Sequence, residues 1–83
     1  MGAVPGLLIV AASGPTDPTR ASIPFHIAAN GANPANIDVG VALAGDATEL
    51  LKPDITANVY GQGVPPLRDL LDKCLEQNVP LYV

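Results

Sequence analysis

The residues best placed to do chemistry in this 83-residue chain sit where an apolar run gives way to a turn, in LLIVAASGPTDPTR. Ser13, Gly14, Thr16, Thr19 and Arg20 fall within one short stretch ahead of a predicted helix, and a second glycine pair brackets Gln62 in Gly61-Gln62-Gly63. Glycine lets backbone amides approach a ligand closely, a helix N-terminus favours negative charge, and threonine hydroxyls with an arginine complete an anion site. A plainer reading competes, because glycine before a helix also serves as an ordinary turn residue. SGPTDP has neither the glycine triplet of dinucleotide binding nor the lysine of a phosphate loop, so no cofactor is implied.

The single cysteine and the single histidine are the other reactive candidates. Cys74 lies on an apolar helical stripe with Leu67, Leu70, Leu71 and Leu75, the spacing of a buried, unreactive thiol. His26 shares a polar stripe with Thr19, Ser22 and Asn30, which reads as a solvated surface, and it has no nearby carboxylates for a metal site. Asp17 and Asp46 each have a sufficient role as helix caps, so neither is assigned to acid–base work.

These residues need elements to hold them. Residues 7–12 form an unbroken apolar run, which fits a strand covered on both faces and hence a parallel sheet. Asp17-Pro18 starts a helix over residues 18–30, with Pro24 loosening its interior and Gly31 as its left-handed stop. Residues 37–43, IDVGVAL, form a weaker second strand. Asp46 and Glu49 have the spacing of a capping box for a short helix over residues 47–51, ended by Pro53. Residues 54–65 read as a loop with at most one turn of helix. A third helix starts at Pro66 and stops at Asn78, with Asp69 and Lys73 spaced for an ion pair, and residues 79–83 form a third strand.

The order β-α-β-α-α-β predicts an α/β fold, a flavodoxin-like parallel sheet in strand order 2-1-3 with helices on both faces. In that order the connections leave strands one and three in opposite directions, opening a crevice at the carboxyl ends of the strands. There residues 13–20, the turn Gly45-Asp46 and residues 61–63 converge. The third strand, last in the chain, leaves one sheet edge without a partner, so a subunit contact or further polypeptide is expected to cover it.

Composition narrows the partners. Only three aromatics, Phe25, Tyr60 and Tyr82, serve a core that must rest on aliphatic side chains. One domain over residues 1–83 is expected, and it buries only roughly 60–65% of the surface its unfolded chain exposes. The net charge of −4 arises from eight carboxylates against Arg20, Lys52, Arg68 and Lys73, which form no basic stripe, so nucleic acid is not expected as a partner. The opening MGAVPGLLIVAAS lacks the basic start of a signal peptide, and its apolar run falls far short of the roughly 20 residues of a spanning helix. It reads as the first core strand, and no membrane partner is expected. A lone cysteine excludes an internal disulfide and suits a reducing cytosol.

Three segments in order, SGPTDPTRASIPFHIAA after the first strand, GDATELLK, and GQGVPPLRDLLDKCLEQNVPLYV, make the chain resemble the DsrE/DsrF-like family of small α/β proteins, which includes sulfur-relay subunits. The resemblance spans nearly the whole chain, with residues 30–36 following the pattern poorly. It implies a cytoplasmic protein that assembles into homo- or hetero-oligomers and meets a sulfur-carrier protein. In sulfur-relay members a persulfide-carrying cysteine follows the strand matching residues 79–83. Cys74 does not match that position, so the family's reactive residue cannot be carried over, and the chain reads as C-terminally truncated.

Three functions follow as expectations. The first is a persulfide sulfur-transfer protein with no catalytic residue identifiable in this chain. The second is a non-enzymatic binding or assembly subunit that takes a small anion in its crevice or a partner along its open edge. The third, ranked last, is a peroxide-reducing enzyme acting through an exposed Cys74.

Overall fold

The computed structural model describes residues 6–83. Strand β1 (Leu7–Ala11) leads through a turn into helix α1 (Pro18–Ile27), which continues into one wider, π-type turn (Ala28–Ala32). Strand β2 (Val39–Leu43) follows, then a 3-10 turn (Gly45–Leu51), the short helix α2 (Pro53–Thr56), helix α3 (Leu67–Glu76) and strand β3 (Leu81–Tyr82). Residues 1–5, including the start of the stretch weighed against a signal peptide, lie outside the described residues. Among the described residues no helix is long and apolar enough to cross a membrane.

The α/β class and the parallel sheet are as expected, but the strand order is not. β2, rather than β1, is central: Leu7 through Ala11 pair in parallel with Val39 through Leu43, and Val41 and Ala42 pair with Leu81 and Tyr82. The sheet therefore runs 1-2-3 in place of the flavodoxin-like 2-1-3. The same fact corrects the expectation of helices on both faces. When both crossovers step across a sheet in one direction and share one hand, their helices fall on the same side. α1 and α3 accordingly pack on each other, and Phe25, Leu67, Leu70 and Cys74 join Val41, Leu43 and Ala11 in one core.

Among the described residues the other face of the sheet has no such layer. Leu8 and Val10 are 56% and 64% exposed, and Tyr82 stands beside them, with the small residues Gly40 and Ala42 between. The apolar run of β1 thus marks an edge strand with one covered face. β2, the weaker strand by sequence, is the better buried of the two. Among the described residues β3 keeps the unpaired edge expected of it, and β1 has one too.

Local chemistry explains most boundaries. Asp17 caps α1 by accepting the Arg20 amide at 3.1 Å, and Pro18 takes the first helical position, where a missing N–H costs nothing. Gly31 is not a left-handed stop. The chain stays helical through Ala32, and the left-handed residue is Asn36 at φ 61°. Ser22 leaves the expected polar stripe: it is fully buried, with its hydroxyl donating to the Pro18 carbonyl at 2.8 Å.

Further along, Asp46 does not cap the 3-10 turn. Gly45 opens that turn at φ 57°, and the Thr48 hydroxyl donates back to the Gly45 carbonyl at 2.9 Å. The single helical turn allowed in the following loop is α2, with Pro53 at its start. On α3, Leu67, Leu70, Leu71 and Cys74 are buried as their spacing requires, whereas Leu75 is exposed. Lys73 reaches across to the Asn30 side-chain oxygen rather than back to Asp69. Asn78, at φ 58°, stops α3 as expected, and the Val79 amide donates to the Cys74 carbonyl at 2.9 Å, tying Val79 to the helix end instead of the sheet.

Candidate functional site

The expected site is built at the carboxyl ends of β1 and β2, which are tied together where the Ala44 amide donates to the Ala11 carbonyl at 2.9 Å. From Ala11 the chain enters residues 12–17. The Asp17 amide donates to the Gly14 carbonyl at 3.2 Å, and this closes the turn before α1. Gly14 sits against the next connection: a Cβ there would lie 2.8 Å from both the Asp46 Cβ and the Asp46 carbonyl oxygen. The turn at Gly45-Asp46 and residues 13–20 therefore touch.

Residues 61–63 join the same cluster. The Gln62 amide donates to Thr19 Oγ1 at 3.0 Å, and a Cβ on Gly61 would fall 2.9 Å from the Thr19 Cα and 3.2 Å from the Pro18 carbonyl oxygen. Gly63, at φ 72°, takes the left-handed conformation that glycine adopts without strain. All three expected segments converge. The glycines Gly14 and Gly61, however, serve an approach of backbone to backbone.

The topological basis of the expected crevice does not survive the strand order. In the 1-2-3 sheet β1 and β3 are opposite edges, so no reversal point lies between them. The polar groups of the cluster are also engaged locally. Thr19 Oγ1 accepts the Gln62 amide, and Asp17 supplies negative charge at the start of α1, where an anion would otherwise be favoured. The Arg20 Nε lies 3.7 Å from Asp17 Oδ2, an exposed pair worth at most about 1 kcal/mol. Thr16, Arg20, Gln62 and Gly63 are exposed, Ser13, Thr19 and Gly61 are half-buried, and Gly14 is buried.

Cys74 is fully buried in the core, with its thiol 3.9 Å from the Phe25 carbonyl oxygen. Burial pushes the thiol above its ordinary value of 9.0, because the thiolate would lose its solvation there. This is the reverse of what an activated nucleophile needs, and it removes the structural basis for a peroxide-reducing role. His26 is half-buried rather than fully solvated. Its Nδ1 lies 3.0 Å from Asn30 Nδ2, and Asn30 in turn accepts from Lys73. Among the described residues no three His, Cys, Asp or Glu side chains are grouped to hold a metal ion.

Two cavities lie away from this cluster. One, of about 340 Å³, opens at the amino ends of the strands and is lined by Leu8, Asn33, Asp38, Gln77, Asn78 and Tyr82 among others. The other, of about 440 Å³, runs beside β3 between α2 and α3 and is more apolar, with Leu51, Leu71, Leu75 and Leu81 in its wall and Arg68 at its side. Sequence reasoning missed both. Asn33, Gln77 and Asn78 carry the composition of turns, and their only signal was that polar carboxamides gather ahead of both β2 and β3.

No family model matches the chain, and no curated protein or solved structure matches it significantly.

Proposed function

We propose that this chain is a DsrE-like component of a cytoplasmic sulfur relay, in which the thiol that carries the persulfide is not Cys74. The observation that carries this reading is the convergence of residues 13–20, the Gly45-Asp46 turn and residues 61–63 at the carboxyl ends of β1 and β2. These belong to the three segments on which the resemblance rests, and the structure gives each a contact with another. In this reading a sulfur-carrier protein docks on the exposed members of the cluster, Thr16, Arg20, Gln62 and Gly63, over Ser13, Gly14, Thr19 and Gly61. The burial of Cys74 is consistent with a thiol that takes no part. Mass spectrometry after incubation with a persulfide donor tests the proposal. A complex with a persulfide-loaded carrier protein, with no sulfur added to Cys74, supports it. Absence of such a complex, or sulfur added to Cys74, counts against it.

A second reading is favoured by the bare sheet face. Among the described residues Leu8, Val10 and Tyr82 expose apolar surface beside two unpaired strand edges, which suits a non-enzymatic assembly subunit in a homo- or hetero-oligomer. Sedimentation distinguishes this version. A stable monomer whose melting temperature is unmoved by phosphate or nucleotide would remove it.

A further inference from the structure

We propose that the cavity at the amino ends of the strands binds a neutral, polyhydroxylated small molecule of the size of a monosaccharide. It lies at the opposite end of the sheet from the cluster of residues 13–20 and 61–63, so this inference is independent of the sulfur-relay reading. Its volume of about 340 Å³ falls at the lower end of the range of small-molecule sites.

The charge of the lining selects the ligand class. Asn33, Gln77 and Asn78 present carboxamides, each able to donate and accept, and Asp38 presents a carboxylate that only accepts. Among the described residues no lysine, arginine or histidine lines the cavity, so a phosphate or carboxylate ligand finds no counter-charge among them and meets Asp38. Neighbouring hydroxyls on a neutral ring suit this set, because each can donate to one carboxamide oxygen or carboxylate while accepting from another amide.

The wall is built for a ring with an apolar side. A Cβ on Gly40 would lie 3.0 Å from Tyr82 Cε2 and 3.6 Å from Leu8 Cδ1, so the glycine lets the aromatic edge and the leucine close over the strand. The Tyr82 ring edge and the Leu8 side chain thus form an apolar wall against which the C–H side of such a ligand packs. One polar group is also left over. Gln77 Oε1 is buried with no hydrogen-bond partner, a costly state for an acceptor. Rotation of the Gln77 side chain that brings Oε1 out to the cavity lets a ligand hydroxyl donate to it and removes that cost.

Two-dimensional NMR of the 15N-labelled chain titrated with D-glucose tests the site. The expected result is saturable, millimolar movement of the Asn33, Gln77 and Asn78 side-chain amide signals. Gln77→Leu and, separately, Asn33→Ala abolish it while the remaining spectrum stays dispersed. Glucose 6-phosphate binds about tenfold more weakly. Absence of saturable movement overturns the proposal. So does movement unchanged in both variants, or tighter binding of the phosphorylated sugar.

Discussion

The Gln62 amide donates to Thr19 Oγ1 at 3.0 Å and joins two segments 43 residues apart in sequence. Beside this bond Gly61 has no room for a side chain, since its Cβ would sit 2.9 Å from the Thr19 Cα. Gly61→Ala therefore pushes backbone against backbone and costs about 1–3 kcal/mol, measured by denaturant unfolding. Gly31→Ala is the companion variant. Its Cβ meets nothing within 4 Å, and in a helical turn it is neutral or stabilises by up to about 1 kcal/mol.

Asp17→Ala removes the side-chain acceptor for the Arg20 amide and the first constraint on the direction of α1. The expected loss is about 0.5–2 kcal/mol, with Asp17→Asn retaining most of the stability. Urea titrations of the two variants side by side check the order.

The buried thiol gives stability a defined dependence on pH. Cys74 is neutral in both states below its ordinary value of 9.0, so it contributes nothing variable there. Above that value the unfolded chain ionises and releases a proton, while the folded chain, with its thiol pushed higher, holds on to it. Stability falls as pH rises from that point, and Cys74→Ala flattens this part of the profile. Iodoacetamide labelling of the native chain is expected to be slow and to accelerate with unfolding. Rapid labelling of the folded protein at neutral pH would contradict the buried geometry.

The one-sided sheet predicts a contrast between two valines. Val41 is fully buried in the core, and Val10 is exposed on the bare face. Val41→Thr places a hydroxyl among apolar neighbours and costs about 1–3 kcal/mol. Val10→Thr stays within about 0.5 kcal/mol. Equal losses in thermal melts would mean that both faces of the sheet are covered.

The elements were legible in the sequence because their signals are local. Asp17-Pro18 marks a helix start, Leu67, Leu70, Leu71 and Cys74 mark a buried stripe, and Asn78 marks a stop, whatever surrounds them. Strand order was not legible, because burial depends on neighbours and LLIVA carries no record of which strand lies beside it. The run that looked most like a core strand became an edge, while VGVAL became the centre. Its Gly40 lowers strand propensity yet leaves room for Tyr82 and Leu8. Ser22 was misplaced for a related reason: its hydroxyl satisfies itself on the Pro18 carbonyl and so travels into the core without penalty. At the candidate site the residue types were visible, but the contacts of Thr19 with Gln62 and of Gly14 with Asp46 join distant segments that no spacing rule connects.

The central place of β2 has a kinetic consequence. Each of its neighbours joins it only after the chain has closed a loop of several tens of residues, so no strand pair can form from local sequence alone. Assembly must wait on this one segment. β3, held by only two residue pairs, is the piece with the least to keep it docked once the rest has condensed.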